Sequence, residues 1–183
     1  MTRTTTDPEM RVVVVCTGNI CRSPTAEAVL RQQLEQAGLG ERVVVDSAGT
    51  YAGHGGEAPD PRAQEAALRR GYDLSGLRAR GLVPDDAEAD LVLAMDRGHL
   101  RRLQRAWGEH PGVRLFLSLD AGGREAEVPD PYHGGREGFE WVLDLIEKGA
   151  AQWVAQIRAS LDDREPTDGT SATTKTPPGG SGT

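Results

Sequence analysis

The chain has 183 residues, of which 37% are hydrophobic, 27% are charged and only 4% are aromatic. That length suits one globular domain with a short tail, and the net charge of −7 argues against a general nucleic-acid-binding protein. No apolar run approaches the roughly 18 residues that a membrane-spanning helix needs, so no membrane association is expected.

The first ten residues are polar and lack the apolar segment of a secretory signal. We therefore expect residues 1–10 to form a flexible N-terminus and the protein to be cytoplasmic. The two cysteines, Cys16 and Cys21, are too few for a disulfide framework or a four-thiolate zinc site. Their closeness in sequence points to reactive-thiol chemistry in a reducing compartment.

The first predicted strand is the β-branched run over residues 11–15, which is typical of a buried parallel strand. Residues 16–22 follow as a short loop that contains glycine. Ser23 is predicted to cap the next helix, because Pro24 then occupies the first helical position, which proline favours. We expect that helix to stop at Gly38.

Short apolar runs and helical patterns alternate through the rest of the domain. We predict strands over residues 43–45, 91–94 and 113–117, and helices over about 61–71, 97–107 and 136–161. The apolar stripe of the last helix consists of Phe139, Val142, Leu143, Ile146, Trp153, Val154 and Ile157. Strands that alternate with helices predict an α/β fold with a parallel sheet.

The C-terminal segment has a different composition. From 166 to 183 it consists of Pro, Gly, Ser and Thr except for Asp168, Ala172 and Lys175. Such a segment buries too little apolar surface to offset the entropy of ordering. We therefore expect one domain over residues 11–161 and a disordered tail over residues 162–183.

The loop over residues 16–22 has the features of an anion site. Ligands of parallel sheets bind at the carboxyl ends of strands, which is where this loop lies. Its backbone N–H groups can turn inward, the helix start adds positive potential, and the planar fork of Arg22 can hold two phosphate oxygens. The same field favours the nucleophilic thiolate of Cys16. The alternative is a structural cysteine beside a salt-bridged arginine.

The ten residues from Val15 to Pro24 read VCTGNICRSP. They resemble the signature of the low-molecular-weight protein tyrosine phosphatases of the bacterial type, and the match extends through residues 46–50, 60–62, 94–96 and 130–132. The resemblance implies a three-layer fold with a four-stranded parallel sheet flanked by helices on both faces. It also implies hydrolysis of phosphotyrosine through a cysteinyl-phosphate intermediate, without a metal or cofactor.

The resemblance implies roles for five residues. Cys16 resembles the nucleophile, Arg22 the phosphate clamp and Asp130 the general acid, which later acts as the base for water. Protonation by such an acid helps a tyrosyl phenolate to leave. Ser23 is expected to hydrogen-bond the leaving thiolate, and Tyr132 to line the mouth of the pocket and stack on a phenyl ring.

Further residues are expected to bind phosphate or to support the loop. The phosphate-binding loop is completed by Thr17, Gly18, Asn19, Ile20 and Cys21. Asn19 and Ser47 resemble the residues whose hydrogen bonds hold the loop in its unusual backbone shape. Cys21 has two interpretations, which are plain packing and a resolving thiol for oxidised Cys16.

The chain departs from the family pattern at three positions. Gly53 stands where the family commonly has an aromatic residue, with Tyr51 and His54 as nearby candidates to replace it. His133 stands where a second tyrosine is frequent, and Leu77 where a histidine is frequent. The first two positions bear on substrate preference and the third on the support of the loop.

The histidines and one acidic cluster are interpreted as structural or solvated residues. The four histidines, His54, His99, His110 and His133, lack the spacing of metal ligands, and His133 is a candidate for the pocket rim. The acidic cluster of Asp85, Asp86, Glu88 and Asp90 is predicted to be a solvated loop and helix start rather than a metal site.

Phosphotyrosine-bearing proteins, including a bacterial tyrosine kinase, are the expected partners, and three other functions are considered. A protein-arginine phosphatase uses the same loop, but apolar Ile20 suits a phenyl ring better than a phosphoguanidinium. A thioredoxin-coupled arsenate reductase needs further cysteines, and none follows Cys21. A catalytically inactive phosphate-binding module conflicts with the joint presence of Cys16, Arg22, Ser23 and Asp130.

Overall fold

The computed structural model describes residues 7–120 and 127–164. The strands of this part of the chain are β1 Met10–Cys16, β2 Val43–Gly49, β3 Leu91–Ala94 and β4 Val113–Leu115, and the α-helices are α1 Arg22–Gln36, α2 Pro61–Arg69, α3 Arg97–Trp107 and α4 Arg136–Asp162. A 3-10 turn, Pro84–Glu88, precedes β3. None of these helices is long and apolar enough to cross a membrane.

The four strands form one parallel sheet in the order β2-β1-β3-β4. Alternate valines of central β1 point to opposite faces, as the strand geometry requires. Val12 and Val14 belong to the core shared with α1, α2 and α4, whereas Val13 and Val15 pack in a smaller cluster with Leu103 of α3. This confirms the expected three-layer fold with helices on both faces.

Two strands differ in length from the prediction. β2 continues to Gly49, which pairs with Cys16, because Asp46 and Ser47 stay in register with β1 despite their polarity. β4 ends at Leu115, two residues early. The chain turns there, and the carbonyl of buried Phe116 accepts a hydrogen bond from the Trp153 side chain at 2.7 Å.

The predicted N-cap of α1 was wrong. The helix begins at Arg22, and the residue before it, Cys21, makes no side-chain capping bond. The hydroxyl of Ser23 is engaged with Cys16 and Asn19 instead. At the other end the prediction holds, because Gly38 follows the helix with φ of +73°.

The acidic cluster after Pro84 is solvated only in part. Asp85, Glu88 and Asp90 are exposed, as expected, but Asp86 is fully buried. Its carboxylate binds Arg80 at 2.9 Å and Arg11 at 3.0 Å. The interpretation of Asp86 as a solvated residue was therefore wrong, because the nearby Arg80 and the distant Arg11 of β1 neutralise it.

The first and last elements of the described chain are β1, which begins at Met10, and α4, which ends at Asp162. Met10, expected in the N-terminus, is buried at the start of β1. α4 runs one residue beyond 161, and Arg164 after it approaches Asp90 at 3.6 Å. The expected flexible N-terminus and tail fall mostly on residues 1–6 and 165–183, which lie outside the described residues.

Candidate active site

A cavity of about 220 Å³ lies beyond the carboxyl end of β1. It is lined by Cys16, Thr17, Gly18, Ile20, Cys21, Arg22, Tyr51, His54, Asp130 and Tyr132. The fold thus brings together residues that are more than 100 positions apart in sequence, since Asp130 and Tyr132 meet the loop from the far end of the domain. Three further predicted residues, Asn19, Ser23 and Ser47, are buried polar residues that support the loop.

The backbone of the loop forms a cradle for an anion. Among the described residues, none accepts a hydrogen bond from the backbone N–H groups of Gly18, Asn19, Ile20 or Cys21. Asn19 has φ of +56°, the one positive value at a non-glycine position in the described part of the chain. Gly49 makes this approach of β2 possible, because a Cβ there would lie 2.5 Å from the carbonyl oxygen of Thr17.

The side chain of Asn19 fixes the loop in this shape. Its Nδ2 donates to Ser23 Oγ at 2.8 Å and to Ser47 Oγ at 2.9 Å, and its Oδ1 accepts from the backbone N–H of Arg80 at 2.9 Å. Ser23 Oγ lies 3.0 Å from Cys16 Sγ. Because Ser23 accepts a hydrogen bond from Asn19, its own hydroxyl proton remains available to the sulfur.

Behind this network lies Glu27, which the sequence analysis missed. It is only 3% exposed, accepts a hydrogen bond from Ser47 Oγ at 2.5 Å and pairs with Arg31 at 2.7 Å. Burial raises the pKa of Glu27, and the bond from Ser47 partly offsets this effect. The available signal was an acidic residue on the inward face of a helix, three positions after Pro24.

The guanidinium of Arg22 is held from two sides. Arg22 is 3% exposed, and its Nη1 donates to Asp96 Oδ2 at 2.9 Å and to the carbonyl oxygen of Val128 at 3.0 Å. Its Nη2 lies 3.5 Å from Asp130 Oδ2. Asp96 lies in residues 94–96, which resemble the family pattern, but no role was predicted for it. In the structure it orients Arg22, the predicted phosphate clamp.

Asp96 also connects Arg22 to a buried histidine. Its Oδ1 accepts from the backbone N–H of His99 at 3.0 Å and caps α3. Burial alone would raise the pKa of Asp96, but this bond and the positive charge of Arg22 hold it below the usual value. His99 Nε2 lies 2.8 Å from Thr17 Oγ1. Burial lowers the pKa of His99 to about 4, so the ring is neutral near pH 7.

Aromatic residues surround the mouth of the cavity. Tyr132 is 42% exposed, its backbone N–H donates to Asp130 Oδ1 at 3.1 Å, and the Arg62 guanidinium lies 5.5 Å from its ring centre. His133 packs edge-on against Tyr132 with ring centres 5.1 Å apart, which places it at the rim. Tyr51 lies on the cavity wall with His54 beside it.

Two of the departures from the family pattern have structural consequences. A Cβ at Gly53 would lie 2.1 Å from the Tyr51 ring, so this glycine leaves the space that Tyr51 occupies. The aromatic wall is therefore present, but another residue supplies it. Leu77 is partly buried against the main core, where it makes an apolar contact.

Cys21 differs from Cys16 in its surroundings. Both cysteines are free and buried. Burial and the negative charge of Asp60 raise the pKa of Cys21 to about 12, so it is a neutral thiol at physiological pH.

Comparisons of the sequence and of the structure with known proteins agree on one family. Residues 11–163 match the family described as low molecular weight phosphotyrosine protein phosphatase. A low molecular weight protein-tyrosine-phosphatase of Streptomyces coelicolor is 44% identical over 159 residues, covering 84% of this chain and 97% of that protein. The crystal structure of YfkJ from Bacillus subtilis has a TM-score of 0.78 at 33% identity, covering 84% of this chain and 98% of its own. The YwlE arginine phosphatase has a TM-score of 0.75 at 31% identity, with coverage of 81% and 96%.

Proposed function

The chain belongs to the low molecular weight phosphotyrosine protein phosphatase family and is a phosphatase enzyme, and we propose that Cys16, Arg22 and Asp130 perform its reaction. The observation that carries this assignment is the single cavity in which the sulfur of Cys16, the guanidinium of Arg22 and the carboxyl group of Asp130 meet. Arg22 and Asp130 approach each other to 3.5 Å there.

In the first step, the thiolate of Cys16 attacks the phosphorus atom of phosphotyrosine. A P–S bond forms while the bond from phosphorus to the tyrosyl oxygen breaks. Protonated Asp130 donates its proton to that oxygen, because a free phenolate is a poor leaving group. The backbone N–H groups of Gly18 to Cys21 and the fork of Arg22 stabilise the charge on the non-bridging oxygens.

In the second step, water hydrolyses the phosphocysteine. Asp130, now a carboxylate, takes a proton from the water as its oxygen attacks phosphorus and the P–S bond breaks. Ser23 donates its hydroxyl proton in a hydrogen bond to the departing sulfur of Cys16, at the 3.0 Å separation already described. This step releases inorganic phosphate and regenerates the thiolate of Cys16.

Phosphotyrosine is the substrate that suits the cavity walls. Ile20 offers an apolar side chain, and Tyr51 and Tyr132 offer rings on which a phenyl group can stack. A phosphoarginine would place a polar guanidinium against Ile20, which has no group to bind it. For this reason we favour phosphotyrosine even though an arginine phosphatase is among the similar structures.

Phosphoproteins are the substrates that this family implies, and we propose phosphotyrosine-bearing proteins, including a bacterial tyrosine kinase, as the partners. A kinase that carries its own phosphotyrosine would present the required group in the same compartment. That compartment is proposed to be the cytoplasm, because both cysteines are free and catalysis through Cys16 requires a reduced thiol.

Matched peptides test the proposal. We expect purified protein to release phosphate from a phosphotyrosine peptide with a higher kcat/KM than from the same peptide carrying phosphoarginine. Cys16→Ser should abolish turnover and still bind vanadate or phosphate, because the cradle is largely backbone and Arg22. Substantial turnover by Cys16→Ser would overturn the assignment of the nucleophile, and a preference for phosphoarginine would overturn the substrate alone.

A further inference from the structure

The outer surface of α3 carries positive charge without any carboxylate. The helix reads RGHLRRLQRAW, with four arginines and no aspartate or glutamate, in a chain whose net charge is −7. His99 and Leu103 form its buried face. Arg101, Arg102 and Arg105 are exposed, and we call these three residues the arginine strip.

Within the described part of the chain, the charges of the arginine strip are not compensated. In residues 7–120 and 127–164, no carboxylate pairs with Arg101, Arg102 or Arg105, and no acceptor hydrogen-bonds them. The arginines at the end of α2 contrast with this, because Arg69, its last residue, and Arg70, which follows it, both bind Glu140, at 2.6 Å and 2.8 Å. The strip is therefore available to an anionic partner.

The strip begins beside the active site. α3 starts directly after Asp96, which holds Arg22, and His99 in its first turn lies 2.8 Å from Thr17 on the cavity wall. At about 1.5 Å of rise per residue, Arg101 and Arg105 lie roughly 3 Å and 9 Å along the helix axis from His99. Besides burial, the positive charges of Arg22 and Arg102 lower the pKa of His99.

We propose that the arginine strip binds acidic side chains that flank the phosphotyrosine of a protein substrate. This inference rests on the proposed function, since the phosphate in the cavity is what brings the flanking chain to α3. A substrate anchored there presents its neighbouring residues at high effective concentration. Carboxylates match the planar fork of arginine, and an extended chain advances about 3.3 Å per residue, so residues a few positions from the phosphotyrosine reach the strip.

The test compares two phosphotyrosine peptides, one flanked by glutamates and one by glutamines at the same positions. The wild-type protein should prefer the acidic peptide by roughly three- to tenfold in kcat/KM, mainly through KM, because exposed ion pairs are individually weak. The preference should fall as salt concentration rises. In Arg101→Gln/Arg105→Gln, it should largely disappear while hydrolysis of p-nitrophenyl phosphate, which has no flanking residues, is unchanged.

Arg78→Gln/Arg158→Gln is the matched control, because it removes the same charge from exposed arginines outside α3. It should keep the preference for the acidic peptide. Equal kcat/KM for the two peptides in the wild type would overturn the inference, as would an equal loss of preference in the control. Either result leaves the proposed function intact, whereas absence of p-nitrophenyl phosphate hydrolysis in the wild type would contradict the proposed function itself.

Discussion

Ser23 Oγ lies 3.0 Å from Cys16 Sγ, and Asn19 donates to the same oxygen at 2.8 Å. The serine oxygen therefore accepts a hydrogen bond from Asn19, and the serine hydroxyl donates one to the sulfur of Cys16. In the proposed mechanism, the direction of this bond matters most when the sulfur is negatively charged, which is when it attacks and when it leaves phosphorus.

Ser23→Ala should slow hydrolysis of the phosphocysteine more than its formation. A hydrogen bond to a charged group contributes about 1.5–3 kcal/mol, which corresponds to a ten- to hundredfold lower kcat. Stopped-flow measurement with p-nitrophenyl phosphate should then show a burst of nitrophenol followed by slow turnover. Ser75→Ala, in an exposed turn, serves as the control and should behave as the wild type. A slower first step without a burst would contradict this role of Ser23.

Asp130→Asn should impair phenyl phosphate hydrolysis much more than p-nitrophenyl phosphate hydrolysis. The nitrophenolate leaves readily without a proton, so the missing acid matters less for it. The ratio of the two kcat/KM values, measured for both proteins, reports this difference. Similar losses on the two substrates would argue that Asp130 positions Arg22 and does not donate the proton.

Gly53→Ala should displace Tyr51 without unfolding the protein. The added Cβ would lie 2.1 Å from the outer atoms of the Tyr51 ring, an exposed side chain that is free to move outward. We expect KM for a phosphotyrosine peptide to rise as in Tyr51→Ala, with little change in Tm. Gly76→Ala is the control, because nothing lies within 4 Å of a Cβ there. An unchanged KM in both Gly53→Ala and Tyr51→Ala would show that the wall does not contact substrate.

Cys21 should resist alkylation while Cys16 reacts. With a pKa raised to about 12, Cys21 stays protonated at pH 7, whereas Cys16 lines the cavity as the proposed nucleophile. Mass spectrometry after brief exposure to iodoacetamide should find the label on Cys16. Inorganic phosphate should protect that site, because it occupies the same loop. Early labelling of Cys21 would contradict its burial as a neutral thiol.

His99 should make the folded protein less stable in acid. Its pKa falls from 6.5 in the unfolded chain to about 4 in the fold, so below pH 6.5 protons bind the unfolded state preferentially. The resulting loss is at most about 3 kcal/mol between pH 7 and pH 4. His99→Gln should therefore lose less unfolding free energy than the wild type when urea denaturation at pH 7 is compared with pH 5. An equal loss in both proteins would argue against a neutral buried ring.

Local sequence was enough to predict the loop, because Cys16 is the last residue of β1 and Arg22 and Ser23 follow it closely in sequence. The bounds of β3 and α3 also agree with the prediction, since apolar periodicity and flanking turn residues coincide there. Asp130 was assigned only through the resemblance, because no local pattern connects it to a loop that lies more than 100 residues earlier.

The residues that were missed depend on contacts between distant segments. Asp96 reaches Arg22 because β3 pairs with β1, which places the short segment between β3 and α3 beside the loop. Asp86 is buried because Arg80 and Arg11 converge on it, and neither pairing has a sequence signature. Glu27 looked like an ordinary helix residue, since nothing local shows that its partner is Ser47 of the neighbouring strand.

The fixed position of the Arg22 guanidinium also affects how the product of the reaction would bind. Asp96 and the Val128 carbonyl hold the guanidinium in place. Arg22 is therefore already ordered in the folded protein, and an anion loses no binding free energy by ordering this side chain. A cradle that is ready for the phosphoryl group of a substrate is equally ready for free phosphate of the same shape and charge. We therefore expect inorganic phosphate to compete with the substrate if Arg22 has the proposed role, so that turnover depends on the phosphate concentration around the enzyme.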